Sequence, residues 1–140
     1  MSEWKLGKEE DYYDWYYKKV YFNGTQYRLS IWPYPEIKSI RLWVGMSSGN
    51  KRKHVDSGTH DNVGRLGGIK ALVWIKKQVL EFPDFYIKDA HLKKGVKLFV
   101  CVGWEDNRRR NIYHRALKDE GFRFAIEEGK KILMKRIIVT

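Results

Sequence analysis

The sequence predicts a mixed α/β domain, a mainly antiparallel twisted sheet with two principal helices. Three observations lead there. Hairpin punctuation and two-residue alternation dominate residues 20–46, and a helical period covers residues 69–81. From Leu98 onward a buried strand, a basic helix, a Gly-Phe stop and two closing strands follow one another. Hairpins in the first half and alternating strands and helices in the second are the pattern of a sheet that mixes both kinds of connection.

Residues 9–19, EEDYYDWYYKK, read either as an amphipathic helix or as an aromatic strand, and helix is the expectation carried forward. Val20, Tyr21 and Phe22 precede Asn23-Gly24, and residues 27–32 follow it. That dipeptide between apolar runs is a strong hairpin signal. Pro33 and Pro35 are expected to end the second strand, because proline cannot donate to a ladder. In residues 37–46, Ile40, Leu42 and Val44 alternate with Ser39, Arg41 and Trp43, giving a third strand. Residues 47–68 hold five glycines and no apolar period, so they read as a long loop.

The helix over residues 69–81 is expected to bury Ile69, Leu72, Val73, Val79 and Leu80 and to stop at Pro83. Residues 84–95 then read as a connector with a short extended piece at 85–87. Residues 98–102 are continuously apolar, as in a strand covered on both faces. In the next helix Ile112, Tyr113, Ala116 and Leu117 share one face. Gly121 is placed to cap it in the left-handed conformation, and Phe122 returns the chain to the core.

Composition limits the function classes. A chain of 140 residues with 43% hydrophobic content suits one domain over residues 1–140 with a real core. The single cysteine, Cys101, sits in the apolar strand, where a buried, unreactive thiol is expected. A reducing, cytoplasmic setting follows from that cysteine usage. No apolar stretch near the start resembles a signal peptide, and no segment reaches membrane-spanning length, so no membrane partner is expected. The sequon Asn23-Gly24-Thr25 is read as a chance match.

The formal net charge is +11. Cations cluster at Lys51, Arg52 and Lys53, at Arg108, Arg109, Arg110, Arg115 and Lys118, and at Lys130, Lys131, Lys135 and Arg136. Three arginines at a helix start oppose its dipole unless an anion or the adjacent Glu105 and Asp106 offset them. Nucleic acid or another polyanion is therefore the expected partner. Lys51, Arg52, Lys53, Arg108, Arg109, Arg110 and Arg115 are the candidate contacts. Trp43 and Trp104 are candidate stacking residues, although no nucleic-acid-binding motif matches in detail.

The order strand, basic helix, Gly121-Phe122 corner and closing strands resembles the C-terminal half of the GNAT acyltransferase superfamily. The resemblance implies a GNAT-like sheet, acetyl-CoA as cofactor and an amine acceptor. The family's pyrophosphate loop has Arg or Gln, two residues, Gly, one residue, then Gly or Ala. Here Arg65, Gly67, Gly68 and Ile69 stand in that region, and Lys70 occupies the last small position. Small residues admit phosphate oxygens to the backbone, and the first helical N–H groups face the anion. Many members carry a tyrosine four residues before the corner. Leu117 stands there, and Tyr113, one turn earlier on the same face, is the candidate acid. Glu105 is the candidate base for the amine.

Two other readings stand beside an acyltransferase acting on a polyanionic or nucleic-acid-linked amine. One is a non-catalytic nucleic-acid-binding or inhibitory protein on the same scaffold. The other is a metal-dependent nuclease using His54, Asp56, His60 and Asp61, although these lie on a glycine-rich loop and no metal site is assigned.

Overall fold

The computed structural model describes residues 4–7, 14–22, 24–49, 68–104 and 107–140. In chain order the elements are β1 (Lys5–Gly7), β2 (Trp15–Phe22), β3 (Thr25–Glu36), β4 (Ser39–Gly49), α1 (Gly68–Asp89) and β5 (Lys97–Val102). They continue with α2 (Asn107–Leu117), a 3₁₀ turn (Lys118–Glu120), β6 (Arg123–Glu127) and β7 (Lys130–Ile138). The seven strands form one sheet in the order β1-β2-β3-β4-β5-β7-β6. Adjacent strands are antiparallel except β4 and β5, which run parallel and are joined through α1. The mixed, mainly antiparallel sheet with two helices is as the sequence predicts.

Tight turns set the register. Phe22 pairs with Thr25 across Asn23-Gly24, with Gly24 at φ 77°. Glu127 pairs with Lys130 across Glu128 and Gly129, both at positive φ (50° and 77°). The left-handed pair Glu128 and Gly129 matches the twist of its flanking strands.

Strand alternation then separates two faces. Leu29, Ile31, Leu42, Val44, Met46, Leu98, Val100 and Val102 share one face and are buried. Against them pack Ala71, Ile75, Val79, Phe82 and Tyr86 of α1 and Tyr113 and Leu117 of α2. Fully burying such a side chain contributes about 1.5–3 kcal/mol. Among the described residues no helix covers the opposite face.

Several expectations need correction. Residues 15–19 are strand, not helix. Trp15, Tyr17 and Lys19 lie on the helix-free face, while Tyr16, Lys18 and Val20 face α1. The period is two, but aromatic residues on both faces mask it. β3 runs through Pro33 and Pro35 to Glu36. Both prolines share one parity, and β2 pairs with β3 only as far as Tyr16 and Ile31, so the missing donors meet an open edge. Residues 47–49 extend β4 rather than opening the loop.

The helix α1 also continues past Pro83 to Asp89, replacing the connector expected from residue 84. Phe82, Phe85 and Tyr86 anchor this last stretch against Trp4 and Tyr16, and that packing offsets the lost N–H at Pro83. Its buried face is Ala71, Ile75, Gln78, Val79, Phe82 and Tyr86, whereas Ile69 and Val73 are 80% and 65% exposed. Gln78 accepts a 2.8 Å hydrogen bond from the buried Lys18, whose ammonium also lies over the Trp4 ring. Gly121 takes the expected left-handed conformation at φ 89°, closing the 3₁₀ turn that follows α2 rather than α2 itself, and Phe122 is buried, as expected. No described helix is long and apolar enough to cross a membrane.

Candidate functional site

The parallel pair is short. Its last rung is Val44 opposite Val102. Beyond it β4 runs on beside β3 to Gly49, while β5 ends and the chain leaves through Gly103 and Trp104. Pairing between the two central strands therefore stops at this rung, where β4 outruns β5, and this point is the fork.

On the helix-free face the fork opens into a cleft of about 770 Å³. Trp43, Gly45 and Gly103 line it at the fork, and Trp32, Tyr34 and Trp104 add aromatic walls. The β6–β7 turn contributes Glu127, Glu128 and Lys130. Arg41 lies in this cleft. It donates to Glu127 at 3.1 Å and to Glu36 in a second, short ion pair. The bond to Glu127 is the largest cause holding the guanidinium above its ordinary pKa, although partial burial acts against it. Arg41 also lies over the Phe99 ring, 5.6 Å from its centre.

On the helix side the fork meets a narrow slot of about 20 Å³ between α1 and α2. Its lining is apolar apart from Lys76 and Tyr113, and includes Val44, Met46, Val79, Val102 and Leu117. Val44 borders both cavities. No protein-family model, curated protein or solved structure matches this chain.

The candidate residues read from the sequence are not all gathered at this fork. Tyr113 is 3% exposed, in the core beside the slot. Gly68, Ile69 and Lys70 form the first turn of α1, which contains no acidic residue, and Lys70 is exposed. Arg108, Arg109, Arg110 and Arg115 lie on α2, whose first turn likewise lacks carboxylates. Of these, Arg108 and Arg115 are exposed and Arg109 and Arg110 are half-buried. Lys51, Arg52, Lys53, Arg65, Gly67 and Glu105 lie outside the described residues, as do His54, Asp56, His60 and Asp61. Among the described residues no three His, Cys, Asp or Glu side chains converge as a metal site.

Cys101 is fully buried on the cleft side of β5, and its thiol is pushed up to about 12, chiefly by loss of solvent. Such a thiol is inert at neutral pH. Sequence reading missed Trp32, Tyr34, Arg41, Glu36, Glu127 and Glu128 as a group. The local signals were the placement of Arg41 and Trp43 opposite the apolar face of β4 and the nearness of Glu36 across the turn; Glu127 and Glu128 come from a distant segment.

Proposed function

We propose that the chain is a small GNAT-like N-acyltransferase, using acetyl-CoA on an amine of a polyanionic or nucleic-acid-linked acceptor, with transfer at the β4–β5 fork. The observation that carries this reading is Val44, which borders a cavity on each face of the sheet. A donor reaching the fork from the helix side and an acceptor from the other face would meet there in line, and such positioning supplies much of the rate of a bimolecular step.

The residues present suit the cofactor's parts. The exposed Lys70 and a first turn of α1 free of carboxylates suit phosphates. The apolar slot suits an alkyl-amide arm, and Tyr113 and Leu117 border it. At about 20 Å³ the slot is narrower than that arm, so binding requires α2 to move away from α1. Acetyl-CoA would supply the acyl group activated as a thioester. In the cleft, Glu127 and Glu128 are placed to accept hydrogen bonds from a cationic amine, with Trp32, Trp43 and Trp104 around it. Glu105, next after Trp104, is the base this reading assigns to the amine proton. A backbone N–H of β4 just past Val44 is the donor it assigns to the developing oxyanion.

A second reading, a non-catalytic nucleic-acid-binding or inhibitory protein on the same scaffold, is favoured by one observation. Tyr113 is buried in the core and Leu117 holds the position of the missing tyrosine. Titration calorimetry separates the two. Micromolar binding of acetyl-CoA, weakened at least tenfold by Lys70→Glu, supports the transferase; that loss corresponds to about 1.4 kcal/mol. Absence of acetyl-CoA binding together with tight polynucleotide binding supports the second reading.

A further inference from the structure

We propose that the helix-free face of β1, β2 and β3 is a platform for single-stranded nucleic acid, built from Lys5, Trp15, Tyr17, Lys19, Arg28 and Trp32. The register places these side chains together: Lys5 pairs with Tyr17, and Lys19 with Arg28. The rings form a row. Trp15 stacks on Trp32 with centroids 5.6 Å apart and planes 24° apart, and Tyr17 lies 5.0 Å from Trp15. The exposed Lys5 and Lys19 supply the cations, Lys19 5.6 Å from the Tyr17 centroid, while Arg28, two of whose guanidinium nitrogens are buried, supports the row 5.7 Å from the Trp15 centroid.

The charge of this face is one-sided. Glu36 and Glu127 are the only carboxylates in the described strands, both bound to Arg41 at the far side of β3, and Glu128 of the β6–β7 turn lines the cleft beside them, away from β1 and β2. Lys97, Lys130 and Arg136 project from the same face of the sheet and are exposed. Cations that track phosphates beside rings that receive bases are the two components of single-strand recognition. A duplex keeps its base faces stacked inside, so it would use the cations but not the rings.

Trp32 belongs both to this row and to the cleft, so a strand held on the platform would lead into the fork. The proposal rests on the acyl-transfer reading only for its purpose, delivery of a nucleic-acid-linked amine. Its test reads binding alone.

That test is fluorescence anisotropy with labelled oligodeoxythymidine of about 12 nucleotides, within the range of single-strand site sizes. A duplex of equal length is compared, from about 50 to about 200 mM salt. The single strand should bind more tightly than the duplex. Joint Lys5→Glu and Lys19→Glu, both at exposed positions, should weaken binding at least tenfold and flatten its salt dependence. Trp32→Leu should abolish the single-strand preference, and Tyr17→Leu replaces it should that variant not fold. No binding at about 50 mM salt, duplex binding as tight as single-strand binding, or unchanged affinity in the double lysine variant would each overturn the platform. Acetyl-CoA titration of the same double variant keeps the two proposals apart. Retained acetyl-CoA affinity with lost oligonucleotide binding in that variant supports the platform independently, whereas a native chain that binds the oligonucleotide but not acetyl-CoA counts against the transferase alone.

Discussion

Arg41 of β4 and Glu127 of β6 are 86 residues apart in sequence, and their side chains meet at 3.1 Å. Since β5 and β7 lie between β4 and β6 in the sheet, this contact means the β6–β7 hairpin curls back over the helix-free face. The ion pair thus forms one wall of the cleft. Glu127 is 19% exposed and Arg41 25%. Breaking a fully buried pair costs several kcal/mol and an exposed one little, so Glu127→Gln should cost roughly 1–2 kcal/mol in chemical denaturation. Glu36→Gln, at a carboxylate 52% exposed, should cost less. Equal losses would mean that the hairpin is held by other contacts.

Such a contact shows what the sequence could and could not reveal. β5, α2, Gly121 and Phe122 were legible because their signals are local: a continuous apolar run, a helical period, a left-handed cap. The alternation of Ile40, Leu42 and Val44 was equally plain. Residues 15–19 were not, since Tyr16 facing the helix and Tyr17 facing away offer no polarity contrast. The prolines misled for a similar reason, because whether Pro33 meets an edge or Pro83 a well-packed aromatic cluster depends on tertiary neighbours. The cleft was least legible. Glu36 and Arg41 face each other across the β3–β4 turn, but Trp104 and Glu127 join them only through sheet order and curl, which no short window contains.

At the end of the 3₁₀ turn that follows α2, Gly121 holds φ 89°, and an added Cβ would come within 3.4 Å of the Lys135 side chain. The lysine can swing aside, so the backbone conformation sets the penalty. Gly121→Ala should cost about 1 kcal/mol, read from the shift in denaturation midpoint. A neutral result would show that the corner tolerates a different cap.

High pH should weaken the fold, and the sign follows from Cys101. Its thiol is raised from 9.0 to about 12, mainly by burial. Below pH 9.0 it is protonated in both folded and unfolded chains. Above that, the unfolded chain releases the proton first, so stability falls as pH rises toward about 12. Burial also raises Tyr16, Tyr27 and Tyr86, which act in the same direction. Thermal melts between pH 9 and about 11 should decline, and less steeply for Cys101→Val than for the native chain. Identical slopes would contradict the buried thiol.

The start of α2 carries Arg108, Arg109 and Arg110 with no acidic residue in its first turn. Reversing the exposed Arg108 relieves the clash with the helix dipole. Arg108→Glu should therefore stabilise the protein by roughly 0.5 kcal/mol at low ionic strength, and the gain should shrink in high salt. A loss of stability would instead identify Arg108 as a structural ion-pair partner.

The claim that acyl donor and acceptor meet at the β4–β5 fork is tested most directly by amide hydrogen exchange with and without acetyl-CoA. Slower exchange is expected in residues 44–48 of β4 and in the first turn of α1, with altered exchange along α2 as the slot between the helices widens. Binding of acetyl-CoA that leaves residues 44–48 and both helices unchanged, or no binding at all, would contradict transfer at the fork.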